Sequence, residues 1–260
     1  MARCALSALL PRIDGKTRGD NVWVSRAVKA ADRERPSKPR YTTFWDVSLV
    51  FTTFERWGAN SGLSLLRLGK KLALQILLYS GQRGQALGAM SVDDFYQSDD
   101  GSVTFNLTEP MKTHKNGQLL DQIVLKPYHR RPNLCVVRTL KEYLQRTRDI
   151  RSEPQLLVTS NGAHTGIKRG TVTTWVTEVL RLSGVNTDRG GQKFGPHSTR
   201  GASVSKGAQL GVQMDILMKF GSWKSERTMA KHYQRPIVEK PEEVDLGSIL
   251  LDDYAEGQDG

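Results

Sequence analysis

Gly195-Pro196-His197-Ser198-Thr199-Arg200 carries a helix-start signature, with Pro at the first helical position and an imidazole and a guanidinium three residues apart on one face. A helix N-terminus beside an arginine attracts anions through its unpaired N–H groups and its dipole. Downstream stand Gly221-Ser222-Trp223 and then Lys231-His232-Tyr233-Gln234-Arg235-Pro236. Upstream, Ser80-Gly81-Gln82-Arg83 places an arginine just after a helix stop. Taken singly, each has an ordinary explanation. Arg83 reads as a surface residue, His197 as a helix-start residue, Trp223 as core and Tyr233 as a packed helical aromatic.

The surrounding pattern is mainly helical. Leu65, Leu68, Leu72, Ile76 and Tyr79 recur at helical spacing and stop at Gly81. Val103–Leu107 and Gln122–Leu125 read as strands flanking Lys112-Thr-His-Lys-Asn-Gly-Gln118, in which Asn116-Gly117 is a hairpin-turn signal. Asn133 is expected to cap a helix bearing Leu134, Val137, Leu140 and Leu144, while 155–158 fits a short strand or a loop. Further helices are expected over 171–182, 197–209, 213–220 and 225–233. The fold class is therefore mainly α (α+β), with one small β-sheet early in the domain.

Composition narrows the partners. The 260 residues are 38% hydrophobic and 25% charged, a globular balance, with formal charge +11. Residues 239–260 carry eight acids and one lysine, a net of −7, so the first 238 residues carry +18. A body that basic attracts polyanions, nucleic acid above all. Two cysteines cannot supply a disulfide framework or a Cys-rich zinc site, and the five histidines form no ligand-spaced pair. No P-loop and no Gly-x-Gly-x-x-Gly occurs, so neither a nucleotide cofactor nor a metal is expected. The apolar start of the chain is cut by Pro11, and the longest apolar run is interrupted by Arg67, Lys70 and Lys71. A soluble, intracellular protein with no membrane span is expected. Residues 11–40 are polar, and the charged Pro-containing run from Asp32 to Arg40 reads as a linker.

In order, Arg83, a hairpin lysine, His197-x-x-Arg200, Trp223 and Tyr233 resemble the catalytic domain of tyrosine recombinases and phage-type integrases. The flavour of Ser-Gly-Gln-Arg83, His197-Ser-Thr-Arg200 and Tyr233-x-Arg-Pro236 is most similar to recombinases of eukaryotic DIRS-like and Crypton-like mobile elements. The resemblance covers roughly residues 41–238. It implies a tyrosine recombinase catalytic domain there, a remnant of a helical core-binding domain plus basic linker in 1–40, and an acidic tail in 239–260. It implies site-specific cleavage and rejoining of double-stranded DNA by a homo-tetramer on paired sites, in the nucleus.

The resemblance also assigns roles that suit the side chains. Arg83 and Arg200 would clamp the non-bridging phosphate oxygens with planar, fixed donors. Tyr233 would be the nucleophile and His197 its base. Trp223 would donate its indole N–H and pack the site. A hairpin lysine would protonate the leaving oxygen; Lys112 and Lys115 both qualify, and Lys112 is favoured because Lys115 abuts the turn. The sequence departs from the family in having Ala86 where an acid is frequent and Tyr233 ten residues after Trp223. A chain with so short an N-terminal part also fits a truncated or domesticated remnant that binds DNA without cutting it.

Overall fold

Leu68, Leu72, Leu74, Ile76 and Leu77 are buried around the whole circumference of α4 (Leu65–Ser80), so this helix forms the axis of the larger part of the chain. Ser64 caps it, its hydroxyl accepting from the Arg67 N–H at 3.3 Å, and Gly81 ends it in the left-handed conformation at φ 62°. The computed structural model describes residues 2–13, 15–35, 40–107, 122–189, 191–221, 223, 225–226, 229–230 and 235–238. These divide into two units, Met1–Arg40 and Tyr41–Gly260.

The first unit holds α1 (Ala2–Leu9) and α2 (Val22–Glu34), joined through a short 3-10 turn at Arg18–Asp20. Ser7 and Thr17 share a hydroxyl contact of 3.0 Å, and the Asn21 side chain caps α2 by accepting from the Trp23 N–H. Helix therefore continues to Glu34, into the run that composition alone reads as a linker. From Asn21, which supplies the start, the chain contains no Gly or Pro before Pro36.

In the second unit, α4 packs against α5 (Val136–Thr147), α6 (Arg169–Leu182) and α7 (Pro196–Gln209). Before it comes α3 (Val47–Trp57), and after α7 comes α8 (Met214–Phe220). The sheet is antiparallel in the order β2 (Phe95–Gln97), β3 (Val103–Asn106), β4 (Gln122–Leu125). Phe95 pairs with Phe105, their rings 5.2 Å apart, and β4 alternates exposed and buried residues as a half-buried strand must. The hairpin tip with Lys112 and Lys115 lies outside the described residues.

In the second unit the structure corrects the sequence reading in three places. Two further pairings accompany the sheet: β5 (Asp188–Arg189) with β6 (Gln192–Lys193), and β1 (Phe44–Trp45) running parallel to β7 (Ile237–Val238). Two-residue strands are too short to show a periodicity. Phe95–Gln97 is a strand that the polar surroundings concealed. Asn133 does not cap α5: it sits in a 3-10 turn, Pro132–Leu134, and its amide donates to Glu55 at 3.2 Å, while α5 starts after Cys135. Of the helix expected over 225–233, the described part shows the Met229 N–H donating to the Ser225 carbonyl at 3.1 Å.

Lys71 is wholly buried on α4, its ammonium donating to Asn60 Oδ1 at 2.8 Å and standing 5.7 Å from the Phe54 ring centre. Burial lowers its pKa from 10.5 to about 8, against the opposing pull of Glu55. The folded state thus releases this proton at lower pH than the unfolded chain does. Stability should rise as pH increases from about 8 to 10.5. Chemical unfolding across that range is expected to show the rise in the native chain and a flatter profile in Lys71→Met.

Candidate active site

The N-terminus of α7 is built from below by the segment that opens the second unit. Trp45 donates its indole N–H to Ser198 Oγ at 3.0 Å, and that hydroxyl in turn donates to the Gly195 carbonyl at 2.8 Å. Tyr41 is buried against Phe44 and Phe194, with ring centres 5.2 and 5.7 Å away, and its ring lies 6.1 Å from the His197 ring. The tip of the Phe44 ring meets the helix at Gly201: a Cβ there would stand 1.9 Å from Phe44 Cζ, so only glycine admits the ring. On the other side, Lys206 reaches Asp46 at 3.0 Å. Burial works to raise the Asp46 carboxyl, but the Ser48 N–H and Lys206 outweigh it and hold it below the ordinary range.

Arg200, one turn into α7, is buried at 3% exposure. Its Nη2 donates to the Gly221 carbonyl, and the Trp223 ring lies 3.9 Å from its guanidinium carbon. A guanidinium stacked on an indole face keeps its in-plane donors while losing water from one side. The Trp223 N–H donates back to the Met218 carbonyl at 3.0 Å, which ties the Trp to α8. Trp223 thus packs on Arg200 through its ring face.

Arg83 comes to the same place by a separate route. Gly81 lets α4 end against α8: a Cβ at Gly81 would meet Phe220 Cε1 at 2.5 Å and the Phe220 carbonyl oxygen at 2.8 Å. The residue after Arg83, Gly84, lies against Pro196, the first residue of α7, where an added Cβ would stand 3.2 Å from the Pro196 Cβ. Ser203 of α7 also donates to the Leu78 carbonyl on the last turn of α4 at 3.0 Å. The loop of Arg83, the start of α7 with His197, buried Arg200 and Trp223 are therefore neighbours. Arg83 and His197 are both half-buried.

Tyr233 lies outside the described residues. The chain is fixed again just beyond it, where the Arg235 N–H donates to Ser205 Oγ on α7 at 3.0 Å and the Pro236 carbonyl accepts from the Phe44 N–H at 2.9 Å. Tyr41, Trp45, Ser198 and Phe220, the supports of this site, are absent from the sequence-derived set. The onset of dense apolar residues at Tyr41 marks where they begin; nothing local to Trp45 shows that it reaches Ser198. Among the described residues no three His, Cys, Asp or Glu side chains converge as a metal site would require.

A profile of the phage integrase family matches residues 53–239. The chain belongs to the phage integrase family. Among solved structures it is similar to the XerH site-specific recombinase in a post-cleavage complex with palindromic difH substrate, at TM-score 0.54 and 15% identity, over 73% of this chain and 48% of that one. It is also similar to XerA recombinase (TM-score 0.53, 15% identity, 85% of this chain and 66% of that). A lambda integrase dimer bound to a COC′ core site gives TM-score 0.50 and 20% identity, over 89% of this chain and 57% of that. No curated protein sequence matches. At these identities the likeness shows the fold, that of the tyrosine recombinase catalytic domain, and this chain spans 48 to 66% of the length of these structures. No helix among the described residues is long and apolar enough to cross a membrane.

The Gly81 contact yields a test of this assembly. Gly81→Ala forces a side chain into left-handed backbone and into Phe220, and should cost about 2–4 kcal/mol in chemical unfolding. Gly88→Ala, where an added Cβ meets nothing within 4 Å, should stay within about 1 kcal/mol of the native chain.

Proposed function

We propose that this phage integrase family member cleaves and rejoins double-stranded DNA one strand at a time through a covalent 3′-phosphotyrosine at Tyr233. The observation that carries the reading is the meeting, at one helix N-terminus, of His197, buried Arg200 stacked on Trp223, and the loop of Arg83. Two guanidiniums at that point can bind the non-bridging oxygens of a phosphodiester as negative charge develops on them. A preorganised, partly dehydrated clamp stabilises that charge more than flexible surface lysines can.

In the reaction the Tyr233 hydroxyl oxygen bonds to the scissile phosphorus and its proton passes to His197. The bond from phosphorus to the 5′ oxygen breaks, and that oxygen takes a proton from Lys112. The phosphotyrosine ester retains the energy of the broken bond, so attack by a 5′ hydroxyl of a second strand restores DNA and frees the phenol. A phenol titrates near pH 10, hence the need for a base. Trp223 holds Arg200 and presents its indole N–H to the phosphate. The anchoring of Arg235 and Pro236 to α7 and β1 supports Tyr233 as the nucleophile, because it ties the chain close after that residue to the helix bearing Arg200. By resemblance, the working form is a homo-tetramer on paired sites in the nucleus, from a DIRS-like or Crypton-like mobile element.

A second reading is a non-catalytic remnant that binds DNA without cutting it, for which the basic body of net charge +18 would suffice. A nicked suicide substrate carrying mixed half-sites separates the two. An adduct that survives denaturant with the native chain and disappears in Tyr233→Phe, while DNA binding persists in both, is the expected result. An equal adduct in the mutant excludes Tyr233 as the nucleophile. Salt-sensitive binding with no adduct in either protein selects the remnant.

A further inference from the structure

Phe44 and Trp45 grip α7 one residue out of step with its reactive side chains. Each helical residue turns the chain by about 100°, so His197 and Arg200 share one face, and Ser198 and Gly201 share the face beside it. Trp45 bonds to the first of that second pair, its indole N–H donating to Ser198 Oγ at 3.0 Å. Phe44 meets the other, its ring tip filling the space that a side chain at 201 would need. Both aromatic side chains are buried.

Ser198 is wholly buried and has no hydrogen-bonding capacity to spare. Its hydroxyl donates to the Gly195 carbonyl at 2.8 Å, and accepts from the Gly195 N–H at 3.1 Å and from Trp45. One proton and two lone pairs are all that a hydroxyl offers. The three bonds fix the first turn of α7 from within, and only the one from Trp45 ties that turn to another element.

The same two residues hold a second part of the chain. Their backbone runs parallel to β7, with Trp45 opposite Val238, and the Phe44 N–H donates to the Pro236 carbonyl at 2.9 Å. Those partners follow Tyr233 by three to five positions in the sequence. By side chain, then, β1 holds the turn of His197 and Arg200; by backbone, it holds the strand that comes after Tyr233. In a reaction between oriented groups, a misplacement of about 1 Å can cost about a hundredfold in rate.

We propose that Trp45 is a positioning residue for strand cleavage: through Ser198 it holds the turn bearing His197 and Arg200 in register with β7. This inference rests on the phosphotyrosine reading given above.

The full chain and Trp45→Phe, which keeps an aromatic ring but removes the N–H, are compared on the nicked suicide substrate at saturating DNA. The first-order rate of adduct formation should fall about tenfold or more, with the final yield of adduct and the Kd for DNA unchanged. Ser198→Ala should slow the step to a similar degree, and Trp45→Phe/Ser198→Ala no further, because all three break one link. A residue that only stabilises the fold would lower the yield and leave the rate of the surviving molecules alone. An unchanged rate, a fall in yield alone, or single losses that multiply in the double variant overturn the proposal. Should Trp45→Phe fail to fold, Ser198→Ala carries the comparison, since it leaves the indole in place. A native chain that forms no adduct defeats the phosphotyrosine reading, and amide exchange then decides the positioning role by itself. Trp45→Phe should speed exchange at 200–202 about tenfold and leave α4 unaltered. No change at 200–202 overturns the proposal in that case.

Discussion

Burying the guanidinium of Arg200 is the demand that shapes the rest of the larger unit. A cation inside a protein must be surrounded by acceptors and polarisable surface, since an uncompensated one costs several kcal/mol. Here the Gly221 carbonyl and the Trp223 ring meet that demand, which fixes the turn after α8 on the side of α7. Placing α8 there brings Phe220 against the end of α4, and only a glycine at 81 leaves room for it. The loop leaving Gly81 must then pass Pro196. The positive charge of Arg200 is thus held in place by packing among α4, α7 and α8, a preorganised cation.

The same economy explains the underside of α7. Its first turn holds His197, yet its orientation is governed by residues about 150 positions earlier in the chain, Tyr41, Phe44 and Trp45. Ser198 serves both neighbours, accepting from Trp45 and donating to Gly195. A hydroxyl can do both at once, whereas Ala would break the link and Thr would bring a methyl group into a buried space.

Much of this was legible in advance, for identifiable reasons. The helical spacing of Leu65–Tyr79 followed by Gly81 announces α4 and its end, because apolar periodicity and a left-handed stop are local properties, although the helix proves buried on all sides. Pro196 announces the start of α7 in the same way. Arg83, His197, Arg200 and Trp223 could be picked out because their residue types and order carry chemistry, and the fold sets the Arg83 loop beside the other three. What escaped is non-local. Asn133 looked like a cap but found Glu55 on another helix. The pairing of Phe44 with Ile237 joins two stretches too short to show alternation. The buried Lys71 reads as a break in an apolar run, and only its contact with Asn60 shows how its charge is accommodated.

That pairing of β1 with β7 sets a timetable for synthesis. Phe44 leaves the ribosome early, and its partner Ile237 is nearly two hundred residues behind it. At roughly 5–20 residues per second, about 10 to 40 seconds separate the two. Through that interval α4, α5 and α6 can form and pack on one another, with α7 joining them near its end. The Phe44 N–H still waits for the Pro236 carbonyl, and Ser205 for the Arg235 N–H. The contacts of Arg235, Pro236 and Ile237 with α7 and β1 therefore form after Arg200 can meet the Gly221 carbonyl and Trp223.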